Sequence, residues 1–126
     1  MKKFTIYIII GVSMLFLASC GKQHQAESVV KDFMEAHLVD PSSLSDVSFR
    51  NLDSTTTFRG DTLIQQLRKA AAASGRYQQQ VSYETPDGAA HKLLFVRVNY
   101  RLKGEEMSDT YYLNNSLTGV VAVKTN

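Results

Sequence analysis

Few side chains in this sequence have the type and spacing to do chemistry, and the first of them is a thiol. Cys20 is the one cysteine among 126 residues, and it closes an apolar run as part of Leu17-Ala18-Ser19-Cys20. A single thiol makes no intramolecular disulfide, so the chemistry open to it is that of a nucleophile or an attachment point. The three histidines, His24, His37 and His91, lack metal-ligand spacing, and no His-Glu-x-x-His pattern is present. His37 falls on the apolar edge of a helical pattern, where a packed histidine is expected. No nucleophile elbow, phosphate-binding loop or dinucleotide glycine pattern occurs. No catalytic residue, cofactor or metal site is therefore assigned. The remaining constellation is Arg97, Asn99 and Arg101, which share the face opposite Val96, Val98 and Tyr100. Two arginines around an asparagine can grip a carboxylate or phosphate through paired hydrogen bonds. The plainer reading is a solvated sheet face whose arginines pair with Glu105, Glu106 or Asp109 on the next strand.

These residues need elements to position them. Ala26, Val29, Val30, Phe33, Met34 and His37 recur at helical spacing, and Pro41 ends that helix. Val47 and Phe49 suggest a short edge strand running into the β-branched Ser54-Thr55-Thr56-Thr57 stretch. Leu63, Ile64, Leu67, Ala70 and Ala71 predict a second helix, opened at Gly60-Asp61-Thr62 and closed by Gly75 as a left-handed cap. From Tyr77 the period changes to two. Tyr77, Val81 and Tyr83 predict a strand, with Thr85-Pro86-Asp87-Gly88 as a β-turn after it. Leu94, Val96, Val98, Tyr100 and Leu102 predict another, followed by Met107–Leu113 and Val120–Val123. The expected fold is α+β, with two helices covering one face of a curved four- to five-stranded antiparallel sheet. Hairpin register decides where Asp109 points. A two-residue Lys103-Gly104 turn aims Asp109 at the core beside Val98. A three-residue turn with a bulge and Gly104 at positive φ sets it opposite Asn99, between the arginines. The second is the expectation, because a carboxylate among valines is costly.

Residues 1–20 divide into a cationic start at Lys2 and Lys3, an apolar stretch from Phe4 to Leu17, and small residues before Cys20. That is the layout of a secretory signal. A retained transmembrane helix is the competing reading, but 14 residues reach only about 21 Å of a ~30 Å hydrocarbon core. Leu17-Ala18-Ser19-Cys20 resembles the lipobox of bacterial lipoproteins at all four positions. The resemblance implies cleavage between Ser19 and Cys20, a diacylglyceryl thioether on the Cys20 sulfur, and acylation of the new amine. Two or more chains make a stable anchor where one does not. Cleavage without lipidation and an uncleaved anchor remain the alternatives. Glycine at position 21, instead of an aspartate, favours the outer membrane over the inner. The domain plan is thus a signal peptide over 1–19, a lipidated tether over 20–25 and one α+β domain over 26–126.

Both lysines of the signal segment belong to the 14 basic residues, whereas all 12 acidic residues follow Cys20, so residues 20–126 balance at zero. No clustered basic face is visible, which argues against nucleic acid as a partner. The order of elements, and Glu27–Asp40 in particular, resembles small lipoproteins of the NTF2-like branch of the cystatin-like group. Gln79-Gln80-Val81-Ser82-Tyr83 resembles the Gln-x-Val-x-Gly loop of cystatin inhibitors, but tyrosine stands where that loop needs glycine. Three function classes follow: a lipid-anchored envelope module binding a protein or small ligand, an enzyme with an NTF2-like pocket, or a structural or inhibitory envelope protein. The partners expected are the membrane through the anchor and an envelope protein or small ligand.

Overall fold

Alternating apolar and polar side chains over Leu93–Leu102 build a ten-residue strand, and the other elements are arranged around it. The computed structural model describes residues 21–58, 60–88 and 91–126. The signal segment and the Leu17-Ala18-Ser19-Cys20 motif lie outside the described residues. Within them, a first helix, α1, occupies 21–37. A single turn of tight helix at Pro41–Ser43 leads into β1 (Leu44–Phe49), and β2 (Asp53–Thr55) and the helix α2 (Asp61–Ala73) follow. The chain then forms β3 (Leu93–Leu102), β4 (Glu105–Leu113) and β5 (Val120–Thr125). The result is a five-stranded antiparallel sheet in the order β1-β3-β4-β5, with β2 also paired to β3. The fold is α+β, as expected, with two helices against an antiparallel sheet.

Helix α1 buries Ala26, Val30, Phe33 and Met34 on one stripe. That stripe meets Val96, Val98, Tyr100 and Leu102 of β3 and Tyr111 and Leu113 of β4 in the main core. Each large apolar side chain so buried contributes about 1.5–3 kcal/mol. The helix stops before Pro41, and its end is held by backbone bonds to the segment after α2. Val39 N–H donates to the Arg76 carbonyl at 2.9 Å, and Gln78 N–H donates to the His37 carbonyl at 2.9 Å. Helix α2 ends as its sequence predicts, with Gly75 left-handed at φ 80°. It lies along β5, where Arg68 Nε donates to the Val121 carbonyl at 2.9 Å and blunts the sheet edge. Ile64 and Leu67 join Phe58, Leu93, Val121, Ala122 and Tyr112 in a second, smaller cluster. Helical spacing predicts that Leu67 joins Val29, Val30 and Phe33 over Leu94, Val96, Val98 and Tyr100; it packs instead in this second cluster.

Three sequence expectations are corrected. Tyr77–Tyr83 is not a strand: Tyr77 makes an isolated bridge to Leu38, and the chain beyond it runs without strand pairing. The β5 edge it would need is partly taken by Arg68, and only Glu84 N–H reaches it, at the Val120 carbonyl (2.8 Å). Thr85–Gly88 is likewise not assigned as a turn. Asp87 instead accepts the Asn115 N–H at 2.6 Å and the Ser116 hydroxyl, tying this segment to the turn before β5. Finally, residues 21–25 are helical and docked, not a tether. Gln23 Nε2 donates to the Arg50 carbonyl at 3.0 Å, and Gln23 Oε1 accepts the Leu52 N–H at 2.7 Å.

Candidate functional site

The β3–β4 hairpin sets the polar geometry of the molecule, and it takes the register not expected. Leu102 pairs with Glu105 across a two-residue Lys103-Gly104 loop, so Val98 pairs with Asp109. Lys103 and Gly104 both lie at positive φ (53° and 79°), the pattern of a type I′ turn, whose twist matches the flanking strands. Gly104 has the positive φ expected of it, but the bulge at the tip and the Asn99–Asp109 pairing are absent. Asp109 projects from the inner face of the sheet and is completely buried.

What makes that position tolerable is a set of donors from two parts of the chain, the segment after α2 and β3. Arg76, at the end of the short loop after α2, donates Nη1 to Asp109 Oδ1. The Tyr77 hydroxyl donates to Asp109 Oδ2 at 2.7 Å and the Tyr100 hydroxyl to the same oxygen at 2.6 Å. Tyr77 has one proton and gives it to Asp109, so in its 2.5 Å contact with Tyr111 it accepts and Tyr111 donates. Arg76 also donates Nη2 to the Asn126 carbonyl at 3.1 Å, and Asn126 N–H donates to the Ser108 carbonyl. The C-terminal residue is thereby fastened to β4 through the same arginine.

Electrostatics keep the three phenols of this cluster protonated. Burial raises the Tyr77, Tyr100 and Tyr111 hydroxyls well above the ordinary tyrosine range, and the Asp109 charge adds to the effect in each. They therefore stay neutral donors near neutral pH. Burial works against the Arg76 charge, but Asp109 and Tyr100 outweigh it and raise its pKa further. A carboxylate with two hydroxyl donors and a guanidinium is stabilised by charge-assisted bonds, and losing one partner would strand the rest. A groove of about 420 Å³ beside Val39, Gly75 and Met107 reaches Arg76, but neither Asp109 nor any of the three tyrosines lines it. Chemically, the cluster holds elements together; Tyr100 also borders a second groove, of about 520 Å³, with Asp46, Asn99, Arg101 and Asn126.

Arg97, Asn99 and Arg101 do lie together on the opposite, outer face, as their alternation requires. Asp109 is not among them. Arg101 pairs instead with Glu106 at 2.9 Å and with Asp46 at 3.3 Å, the latter carried on a β1 bulge with Asp46 at φ 53°. Arg97 is exposed and stands opposite Thr110, while Asn99 is half-buried between Ser48 and Ser108. The bland reading of an acid-paired solvated face thus describes Arg101.

His37 packs at a tilt against Phe33, 4.7 Å between ring centroids, and burial lowers its pKa, leaving a neutral, packed imidazole. Among the described residues no group of three or more His, Cys, Asp or Glu side chains is arranged to hold a metal. Cys20 lies outside them. The residues that sequence reasoning missed are Arg76, Tyr77, Tyr100 and Tyr111 as a polar set. The available signal was Asp109 itself, standing in the inward phase of Met107, Tyr111 and Leu113 once a two-residue turn is assumed.

Taken together, fold and cluster define a two-helix, five-stranded α+β domain with Asp109 bonded inside it by Arg76, Tyr77 and Tyr100. Comparison of the chain with protein-family models, with curated proteins and with solved structures gave no match.

Proposed function

We propose that this protein is a lipid-anchored module of the bacterial cell envelope that binds or assists another envelope component, and that it is not an enzyme. Anchoring is supported by Leu17-Ala18-Ser19-Cys20 behind an apolar run with Lys2 and Lys3 at its start. Gly21 at the next position favours the outer membrane. The observation that carries the non-catalytic reading is the state of the inner sheet face. In an NTF2-like enzyme the space between the main helix and the sheet would be the pocket. Here Tyr77, Tyr100, Tyr111 and Asp109 fill it, each at most 2% exposed, and their polar atoms are bonded to one another. The partner is an envelope protein or a small ligand, met on the exposed surface. A balanced charge over residues 20–126 speaks against nucleic acid.

The test is metabolic labelling with a radioactive fatty acid in wild type and Cys20→Ala. Label should be confined to wild type, and the variant should accumulate as uncleaved or mislocalised precursor. Equal label on both would overturn the anchoring.

A further inference from the structure

The docked start of α1 has a consequence for how such a protein would sit. We infer that the domain lies directly on the bilayer in one orientation, with the Arg50–Leu52 corner and the Asn114–Gly119 turn against the lipid surface. This rests on the lipid-anchor reading of Cys20. Its own support is the clamp made by Gln23, which bonds both the Arg50 carbonyl and the Leu52 N–H. Gln25 Nε2, half a turn further along the same helix, reaches the Leu117 carbonyl at 3.4 Å, and Ala26 is fully buried. Position 23 is therefore held by the body of the domain. Even if Gly21 and Lys22 were fully extended, the chain from Cys20 to Gln23 would span only about 10 Å. A lipid on Cys20 leaves the domain no room to tumble.

The same geometry names the far end. Helix α1 continues for 15 residues, about 21 Å, from Gln23 to His37, just before the contact of Val39 with Arg76. The groove there includes Val39, Arg76, Leu102 and Lys103, so the β3–β4 hairpin tip points away from the lipid. At the near end charges of both signs occur, Lys22, Arg50 and Lys92 with Glu27, Asp53, Asp87 and the Glu84 side chain beside Gly119. The Asp87 carboxylate is also occupied by Ser116 and the Asn115 N–H. The orientation is therefore set by the short attachment and not by attraction to anionic headgroups, and it is independent of their content.

The experiment uses the full-length lipidated protein, purified from a host that processes lipoproteins and reconstituted into phosphatidylcholine vesicles with headgroup spin-labelled lipid. The Cys20 sulfur is then a thioether, so single cysteines introduced by Asn51→Cys, Ser116→Cys or Lys103→Cys carry the only reactive thiol for a fluorophore. Quenching should be severalfold stronger at 51 and 116 than at 103, and unchanged when phosphatidylglycerol is included. A flexible Gly/Ser insertion of about 12 residues between Gly21 and Lys22, spanning roughly 20 Å, should erase the difference. Vesicle-bound protein quenched equally at 51 and 103, or a pattern that survives the insertion, would overturn the orientation while leaving the anchor standing. Protein that does not float with vesicles would overturn the anchor reading and this inference with it.

Discussion

At the scale of single residues the molecule turns on Asp109. Its carboxylate is fully buried, and Arg76, Tyr77 and Tyr100 supply its bonds. Glu106, three positions earlier on the same strand, also meets an arginine, but its side chain is 79% exposed. The two acids should respond differently to removal of their charge. Asp109→Asn keeps the shape but leaves the Arg76 guanidinium facing a neutral amide whose N–H groups crowd two hydroxyl donors. Breaking a buried pair from one side costs about 3–5 kcal/mol. Arg76 retains some solvent contact, so about 3 kcal/mol is expected, a fall in melting temperature of roughly 10–20 °C for a domain of this size. Glu106→Gln should barely move it. Thermal unfolding of the two variants side by side is the measurement, and equal melting temperatures would mean that the buried pair contributes no more than the exposed one.

At the scale of elements, the corner between β1 and β2 is shaped by a side chain from a helix. Beyond Phe49 the chain leaves β3 and returns to it at Asp53, and the bond pair from Gln23 covers the gap. A primary amide can donate to one backbone carbonyl and accept from a nearby N–H, which substitutes for a missing strand partner. Gln23→Ala removes both bonds and leaves the Leu52 N–H to find water. A loss of about 1–2 kcal/mol is expected. The sharper readout is native-state hydrogen exchange, where the Leu52 amide should lose protection while Val98, in the middle of β3, keeps its own. Protection of Leu52 equal to wild type would show that the clamp does not hold the corner.

For the whole molecule, the three buried phenols predict how stability depends on pH. Tyr77, Tyr100 and Tyr111 have pKa values raised on folding above the ordinary value of 10.0. A raised folded pKa means that the native state holds its protons when the unfolded chain has released them. Their contribution is therefore complete below about pH 10 and falls as pH rises above it. Each such group contributes a slope of about 1.4 kcal/mol per pH unit, so three together give roughly 4 kcal/mol per unit on the alkaline side. Urea unfolding between pH 9 and 11 measures it. Tyr111→Phe should make the slope shallower by about 1.4 kcal/mol per pH unit, since one titrating group is gone. A stability that is flat across this range would remove the phenols from the interior.

Much of this architecture was legible from local rules, because those rules act over a few residues. Pro41 and Gly75 delimit the helices through their own backbone preferences, and β3 declares its inner face by strict alternation from Val96 to Leu102. The α+β class, the β3–β4–β5 meander and the solvent-facing row of Arg97, Asn99 and Arg101 follow from those signals. Tertiary structure decided what depends on partners far along the chain. Tyr77–Tyr83 alternates like a strand, but a strand needs a free edge, and Arg68 occupies part of the one at β5. Residues 21–25 read as a polar tether because nothing local shows that Gln23 will meet Arg50 and Leu52. Asp109 was the largest reversal. A carboxylate in a core is prohibitive by itself, and it becomes favourable only when Arg76 and two tyrosines converge on it from outside its own strand. Hydrophobic periodicity is a property of neighbours in sequence, whereas the compensation of a buried charge is a property of neighbours in space.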